Sequence, residues 1–516
     1  MRNRFIKIIT CFLVLGFVLV SCDDFLDQQP ITEYNNEQLF ATEEGAETVL
    51  NGLYARMAGP GYYGSSWHGM VNPHSGRMFS NQSVTADATG LNCSTSNRWL
   101  EDLWPAMYST IEQANIVIYN MENSNLANKD VVLGQAYLIR GIVYFDLVRL
   151  FGGVPIKNSP TSLENMNRPK SSKAEVYELI LADFERAKEL LPSDHSSYRI
   201  DRPLKWAAYG YKAKVYMQLA GEDGGNSALW QNAYDEAIQV YNKYSLNSNY
   251  GSVFLSTGWL ENTPEAIFEL QYDHFGNIRN SDRIRMYTPS NSAYNIGFNT
   301  FGWVRPNKEI FDQHNTQYPG DPRIAATFVW GTYPRSNGTN QNIYPNSRNG
   351  ANGYAVIKKW FDPSYNGTTT AKNYTLFRYA DLLLMLAEIE NELNGPTSAY
   401  QYVNQVLTRA RNSATPTAAQ PADWVGMTQD QFRNRIMKER QYELLSEGQD
   451  WFDTRRRGFN FFLNNTIIPH NSHSTINVGN ADYLYPTTDR AMLLPILNRE
   501  IANNNNMSPS DQNPGY

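Results

Sequence analysis

A glycine-rich stretch, GPGYYG, carries the spacing G-x-G-x-x-G at Gly59, Gly61 and Gly64. In dinucleotide-binding proteins this spacing follows a strand and opens a helix, because the glycines let the backbone approach a pyrophosphate. Here the preceding residues NGLYARM continue a helical pattern, and the following residues SSWHGMVNP have the composition of a loop. The spacing therefore does not predict a nucleotide site, and we expect the protein to use no cofactor.

The histidines and acids do not form a pattern typical of catalysis. Of seven histidines only His470 and His473 are close, in PHNSH, and no third metal ligand follows at a recognisable spacing. The motifs G-x-S-x-G and H-E-x-x-H are absent from the sequence. Paired carboxylates for glycoside hydrolysis depend on a distance in space, which the 51 acidic residues do not reveal. We therefore predict that the protein is not an enzyme and holds no metal.

Aromatic residues among amides offer a different chemistry, the binding of a ring-shaped ligand. Aromatic residues make up 13% of the chain, with 33 tyrosines and 11 tryptophans. A sugar ring stacks its apolar faces on tryptophan or tyrosine, and its hydroxyls need amide, carboxylate or guanidinium partners. The candidate ligand-binding residues are Trp67, His68, Asn72, Asn81, Asp87, Asn97, Trp99, Tyr272, Asp273, Tyr294, Trp303, Arg305, Trp330 and Tyr333. The tryptophans at helical positions are expected in the core, and these are Trp104, Trp206, Trp230, Trp424 and Trp451.

Helices are expected to position the candidate ligand-binding residues, because helical periodicity is found towards both ends of the chain. Apolar residues recur at three- and four-residue spacing over 37–57, 103–121, 131–151 and 173–191. Two helical hairpins follow, at 205–220 with 228–244 and at 378–393 with 398–411. Their small and aromatic residues recur where a tetratricopeptide helix pair packs helix on helix, but the spacing is irregular. The sequence therefore predicts degenerate repeats rather than a regular solenoid.

The candidate residues lie in two segments of another character. Residues 251–373 are rich in Asn, Gly, Pro and Tyr and contain short strand-like pieces, EAIFELQY and YAVIKKWF, and residues 59–99 have a similar composition. Long irregular loops in a compact protein are commonly functional. We predict a mainly α fold, a degenerate tetratricopeptide-like scaffold with a loop-rich, partly β segment. The predicted regions are a signal peptide at 1–21, an N-terminal helical region at 22–250 and a C-terminal region at 251–516.

The N-terminus has the layout of a lipoprotein signal. Three basic residues in MRNRFIK precede a 13-residue apolar run from 8 to 20, which is shorter than the roughly 20 residues that span a bilayer. The run ends in LVSC, so that Cys22 follows two apolar residues and a small one, as in a bacterial lipobox. We predict that Cys22 is acylated and tethers the protein to a membrane.

Net charge and cysteine content limit the partners and the disulfides that are possible for the mature chain. Cleavage before Cys22 removes three of the 44 basic residues and leaves 41 against 51 acids, an acidic balance that argues against nucleic acid as a partner. Cys11 leaves with the signal and Cys22 carries lipid, so Cys93 remains alone. No intramolecular disulfide is then possible, and Cys93 is expected to be a small buried side chain.

Several motifs, in collinear order, resemble the SusD/RagB family of outer-membrane nutrient-binding lipoproteins. GQAYLIRGIVYFDLVRLFGGVPI, at 134–156, is similar to the helix and Gly-Gly-Val-Pro turn of that family. VYELILADFERAKELLP, RYADLLLMLAEIENEL and ERQYELLSEGQDWFDTRRRG are similar to its later helices, and LLPILNREI with the terminal QNPGY to its C-terminal signature. From the residues themselves these motifs are scaffold: apolar faces, a glycine-ended helix stopped by Pro155, and an ion-paired helix end around Asp450 to Arg457.

The resemblance implies a function, although the motifs themselves contain scaffold residues and no ligand-binding chemistry. It implies a cell-surface lipoprotein of the outer membrane that captures an oligosaccharide and passes it to a TonB-dependent transporter of the SusC type. It also implies that the glycan site is built from loops of the two loop-rich segments, and that acids following Cys22 help to route the protein to the cell exterior. Two alternatives stay open: capture of peptides, as in RagB-like proteins, and a surface glycosidase.

Overall fold

The computed structural model describes residues 36–80, 82–222, 224–255, 262–274, 280–295, 297–476 and 483–516. Helices form most of this part of the chain, which confirms the predicted mainly α fold. The α-helices are α1 Asn36–Leu39, α2 Glu43–Ala58, α3 Ala86–Thr89, α4 Arg98–Met121, α5 Lys129–Phe151, α6 Lys173–Leu190, α7 Lys205–Glu222, α8 Ser227–Val240, α9 Arg283–Tyr287, α10 Lys308–Gln317, α11 Pro322–Thr327, α12 Tyr379–Asn394, α13 Pro396–Asn412, α14 Gln429–Leu444, α15 Asp450–Arg455, α16 Phe459–Phe462, α17 Ile468–Asn471 and α18 Asn498–Asn503.

The strands are short and lie in pairs that link distant parts of the chain. They are β1 Met78–Ser80, β2 Ala266–Leu270, β3 Val304–Pro306, β4 Phe328–Val329, β5 Thr332–Pro334, β6 Asn340–Asn342, β7 Val356–Ile357 and β8 Tyr374–Arg378. The antiparallel pairs are β1 with β3, β2 with β8, β4 with β7, and β5 with β6. All strands but β1 lie within or beside the segment 251–373, as the predicted partly β segment requires.

The long helices pack on their neighbours in the chain and form one array. Helix α5 packs on α4 and α6, α7 on α6 and α8, and α12 on α8, α13 and α14. Glycines permit the closest approaches, since a methyl group on Gly141 would lie 2.7 Å from Cε1 of Phe184. Among the described helices, α5 is long and apolar enough to cross a membrane, but 94% of its most apolar window is buried inside the protein. Its composition is that of a central core helix.

Capping residues explain why some helices begin at residues other than those predicted from the apolar spacing. The helix predicted to start at 103 begins at Arg98, because the Asn97 side chain accepts hydrogen bonds from the backbone N–H groups of Trp99 and Leu100. The helix predicted over 37–57 is divided into α1 and α2, and Thr42 caps the start of α2. Helix α6 begins with a capping box between Ser172 and Glu175.

Two buried ionic clusters join α14 to the rest of the array. In the first, Arg378 contacts Glu265 and Glu443, both at 2.7 Å. In the second, Asp453 pairs with Arg440 at 3.0 Å and Arg456 at 3.1 Å. These contacts agree with the ion-paired helix end expected for 450–457. Burying such charges is tolerated only when each one is paired, so the clusters fix the relative positions of their helices.

Candidate functional site

A long stretch of the first loop-rich segment lies beneath the surface. Every residue from Tyr62 to Ser80 is buried. Trp67 lies in a π-helical turn, Trp67–Val71, and its ring packs on Tyr63 at 4.8 Å and on Phe452 at 6.1 Å. Its relative exposure is 1%. The structure thus places Trp67 in the core, whereas the sequence analysis placed it among loop residues that could reach a ligand.

His68 and Asn72 join this buried segment to α9. The Asn72 amide donates to the hydroxyl of Tyr287 at 2.8 Å, and Nδ1 of His68 lies 3.2 Å from the same oxygen. Burial, together with the charge of Arg283, lowers the pKa of His68 well below its usual value, so the imidazole is neutral. Both side chains are fully enclosed and hold the two loop-rich segments together.

Asp87, Asn97 and Trp99 have structural positions as well. Asp87 accepts a hydrogen bond from the Asn97 amide at 2.6 Å and another from the backbone N–H of Ser94 at 2.9 Å. The Trp99 ring is 8% exposed and covers Gly69, where a side chain would collide with it. These contacts shape the loop before α4. Asn81, another candidate, lies outside the described residues.

Three candidates of the second segment are also buried. The Tyr272 hydroxyl donates to the carbonyl of Ala58 at 2.6 Å, and Arg305 donates to the carbonyls of Ala351 and Gly302 at 2.7 and 3.0 Å. Tyr333 packs in a small apolar cluster. Sequence reasoning counted them as ligand-binding residues because their neighbours are loop-forming, and a loop residue can still point inward.

Five of the described candidates remain accessible: Asp87, Asp273, Tyr294, Trp303 and Trp330. Asp273 is exposed, Asp87, Tyr294 and Trp303 are half-buried, and Trp330 is 40% exposed beside the ring of Phe311. Tyr294 and Trp303 lie in the same loop between α9 and β3. Trp330 lies between β4 and β5, so the accessible candidates are divided between different loops.

The loop between α9 and β3 carries four aromatic side chains that keep some accessible surface, and we call this set the aromatic rim: Tyr294, Phe298, Phe301 and Trp303. None is fully buried, and Phe298 is 43% exposed. Phe301 and Trp303 stack with centroids 4.4 Å apart and planes 4° apart. The guanidinium of Arg285 lies 4.3 Å from the Phe301 ring. Sequence reasoning missed Phe298 and Phe301 because it considered tryptophan and tyrosine, although FNTFGW shows the aromatic spacing.

Backbone hydrogen bonds attach both ends of this loop to its neighbours. The N–H groups of Phe301 and Gly302 both donate to the Arg285 carbonyl, at 2.8 and 3.1 Å. Gly302 has φ of 58°, a left-handed conformation that favours glycine. The N–H of Ala293 donates to the carbonyl of Pro334 at 2.8 Å, which ties the loop to β5.

The two loop-rich segments meet directly beneath the rim. Strand β1 pairs with β3, with Phe79 opposite Arg305, and β3 begins one residue after Trp303. Phe79 also stacks on Tyr354, with centroids 3.8 Å apart. The buried first segment thus supports the accessible second one. The accessible rings of the second segment could stack on a flat ligand.

Known proteins resemble this chain in sequence and fold. Residues 264–516 match the model of the SusD family, and residues 24–217 match a model described as starch-binding associating with outer membrane. SusD-like protein P2 of Formosa agariphila is 27% identical over 98% of this chain and 99% of its own length. SusD-like protein P38 of the same organism is 28% identical over 88% of this chain and 92% of its own length.

Solved structures share the architecture over nearly the whole chain. A SusD homolog from Bacteroides thetaiotaomicron has a TM-score of 0.76 and 22% identity, covering 94% of this chain and 99% of that one. A structure solved with a xylogluco-oligosaccharide has a TM-score of 0.72 and 21% identity, covering 89% and 97%. With two family models matched in order along the chain and the helical array in common, this protein belongs to the SusD/RagB family.

Proposed function

We propose that this protein captures an oligosaccharide at the outer membrane and passes it to a TonB-dependent transporter of the SusC type. The aromatic rim supports the first part, because four accessible rings within ten residues of one loop suit the apolar faces of sugar rings. The family model described as starch-binding and the relative solved with a xylogluco-oligosaccharide agree with a glycan ligand. The function is affinity and transfer, without catalysis.

Polar groups beside the rim complete the proposed site. Asn291 and Asn299 are exposed on the same loop, and Arg285 donates to the Asn299 carbonyl at 3.2 Å while stacking on Phe301. Sugar hydroxyls would pair with these amides and the guanidinium while a ring lies on the aromatic surface. Asp273 and Trp330 are further accessible candidates, and they would extend the site along neighbouring loops.

The anchor and the partner are parts of the same proposal. The lipobox at Cys22 would tether the protein by lipid, with the helical body outside the membrane. Cys22 lies outside the described residues, and the transporter is a separate protein. The N-terminal sequence therefore supports the anchor, and the family supports the partner. Co-purification of the full-length protein with an outer-membrane barrel from its native cells would test the partnership, and its recovery without one would contradict it.

Substitution of the rim tests the ligand site. We expect Trp303→Ala and Phe298→Ala to weaken binding of a retained polysaccharide by about tenfold to a hundredfold in affinity gels, because a stacked ring contributes about 1–3 kcal/mol. Tyr119→Ala is the matched control, since this ring is 69% exposed but lies on α4. The melting temperature of all three variants should stay close to that of the parent. Unchanged retention by both rim variants would place the site elsewhere.

The two alternative functions, peptide capture and glycoside hydrolysis, predict different experimental results. A peptide-capturing protein would bind a mixed peptide library and none of the polysaccharides. A glycosidase would shorten the retained polysaccharide, which chromatography of the reaction products detects. We expect an intact polysaccharide and no peptide enrichment.

A further inference from the structure

A second loop, residues 361–371, lies against the aromatic rim. Phe298 is the most exposed ring of the rim, and its centroid lies 6.4 Å from that of Tyr365, with an angle of 69° between the planes. On the same loop, a methyl group added to Gly367 would lie 3.1 Å from Cδ1 of Phe298. No candidate from the sequence lies in this loop. Its residues nevertheless border the ring that is most accessible to a ligand.

Hydrogen bonds within this loop orient the side chain of Asn366. Its Oδ1 accepts from the backbone N–H groups of Thr368 and Thr369, at 3.0 and 2.7 Å. Two donors on one side identify the oxygen of the amide, so its NH₂ group is directed away from the turn. Asn366 is exposed, and among the described residues its NH₂ group has no hydrogen-bond partner. An oriented, unused donor therefore lies next to Gly367 and close to the Phe298 ring.

The base of the turn is attached to the segment that precedes α9. The Thr369 hydroxyl lies 2.8 Å from Nδ1 of His274, and the backbone N–H of Thr370 donates to Oδ1 of Asn280 at 3.2 Å. Thr369 and Thr370 are both buried. The position of Asn366 beside the rim thus depends on these contacts as well as on the contact with Phe298.

Neither loop contributes an exposed charged side chain. Residues 288–303 contain no acidic or basic residue, and Asp362 is the one such residue in 361–371. Asp362 is 1% exposed. The guanidinium of Arg285, which stacks on the rim, already pairs with Asp282 at 3.3 Å. A charged sugar would lose water here without gaining a free opposite charge, so the surface suits an uncharged one.

We propose that Asn366 is a specificity-determining residue, whose NH₂ group donates to the ring oxygen or a glycosidic oxygen of a neutral sugar stacked on Phe298. An exposed ring beside an oriented donor matches a pyranose, which has apolar faces and oxygens at its edge. This inference rests on the proposed function, because it assigns a second contact to the same sugar. It adds a preference for neutral glycans and a partner outside the rim loop.

Asn366→Asp tests the donor. The variant keeps an oxygen for the N–H groups of Thr368 and Thr369, but a carboxylate cannot donate. We expect an unchanged melting temperature and a loss of about three- to tenfold in affinity for a retained neutral polysaccharide, the range of one hydrogen bond between uncharged groups. Asn226→Asp is the matched control and should bind as the parent does. Its side chain also accepts from a backbone N–H, but at the start of α8.

Affinity gels with xyloglucan, galactomannan and starch as neutral probes, and polygalacturonate as the acidic one, test the ligand class. We expect retention by at least one neutral polysaccharide and none by polygalacturonate. Retention by polygalacturonate, or by none of the neutral probes, would overturn the neutral preference.

Phe298→Ala separates this inference from the proposed function. If Phe298→Ala weakens retention and Asn366→Asp does not, the role of Asn366 is wrong and the glycan site at the rim stands. If neither substitution changes retention, both the role of Asn366 and the site at Phe298 are wrong. Weakening by both variants, with parent-like retention of Asn226→Asp, is the result that we expect.

Discussion

Trp67 and Trp303 both occur in glycine-containing loops, yet the structure gives them opposite surroundings. Trp67 is enclosed by Tyr63 and Phe452, whereas Trp303 stacks on Phe301 and keeps part of its surface accessible. The residue type and the local composition are alike in both places. Their burial differs because the first segment runs under the second through the β1–β3 pair.

Replacement of Trp67 therefore tests packing and not binding. We expect Trp67→Ala to lower the free energy of unfolding by about 3–5 kcal/mol, because it leaves a large cavity in the core. Urea denaturation measures this loss, and Trp303→Ala is the control that should change it little. If the Trp67 variant were as stable as the parent but bound the ligand more weakly, Trp67 would belong to the ligand site.

The buried carboxylate of Asp381 makes stability depend on pH. Burial alone would raise the pKa of Asp381, but Lys214 at 2.7 Å and Arg440 at 2.9 Å outweigh it and lower the pKa to about 2. In the unfolded chain the value is about 3.9. Since the folded value is the lower one, the stabilisation is complete above pH 4 and is lost as the pH falls towards 2.

Asp381→Asn isolates this contribution. At pH 6 we expect the variant to be about 3 kcal/mol less stable than the parent, because two buried cations lose their partner. The difference should shrink by about 2 kcal/mol when the pH is lowered to 2, because the parent then protonates the same group. Denaturant titrations at several pH values measure it. A difference that stays constant with pH would show that the ion pair does not set this pKa.

At the scale of the elements, small residues decide how closely neighbours approach. Gly210, on α7, faces β8 so closely that a methyl group there would overlap the ring of Phe377. Gly141 has the same role between α5 and α6. In contrast, Gly52, on α2, has open space where a side chain would project. Glycine inside a helix has a cost of about 1 kcal/mol relative to alanine, so tight packing is the reason to retain it.

Two alanine substitutions should therefore have opposite effects. Gly210→Ala should destabilise the protein by about 1–3 kcal/mol through overpacking, despite the better helix propensity of alanine. Gly52→Ala should stabilise it by about 0.5–1 kcal/mol, because only the propensity changes. Thermal unfolding of both variants measures the two changes in stability. Stabilisation by Gly210→Ala would show that Phe377 moves aside without loss.

At the scale of the whole molecule, one framework of helices supports the loop that carries the aromatic rim. The ionic clusters around Arg378 and Asp453 tie α14 and α15 to the array. Cys93 is buried and free, in agreement with its expected role. Attachment to the membrane is proposed to depend on Cys22.

We expect Cys22→Ala to abolish attachment. The variant should appear in the soluble fraction or remain as an uncleaved precursor, because lipid can no longer be joined to the side chain. Fractionation of cells that produce the variant, with Cys93→Ala as the matched control, measures this. A Cys22 variant that stays with the outer membrane as the parent does would refute the anchor.

The sequence by itself determined the helical framework and the family. Apolar residues over 131–151 and 173–191 predict α5 and α6 closely. Helix α6 buries one face and repeats its apolar residues at three- and four-residue spacing, whereas α5 is apolar on all sides because it is buried throughout. The ion-paired end around Asp453 was also predictable, since acids and arginines adjoin there within one turn. Motif order along the chain identified the family.

Only the tertiary structure decided which loop residues reach the surface. Loops lack a repeating pattern, so the sequence does not separate the buried residues Trp67, Tyr272 and Tyr333 from the accessible residues Tyr294 and Trp303. Trp67 is covered because the β1–β3 pair places its segment under the second one. Strand pairing joins distant parts of the chain, and local composition does not specify such contacts.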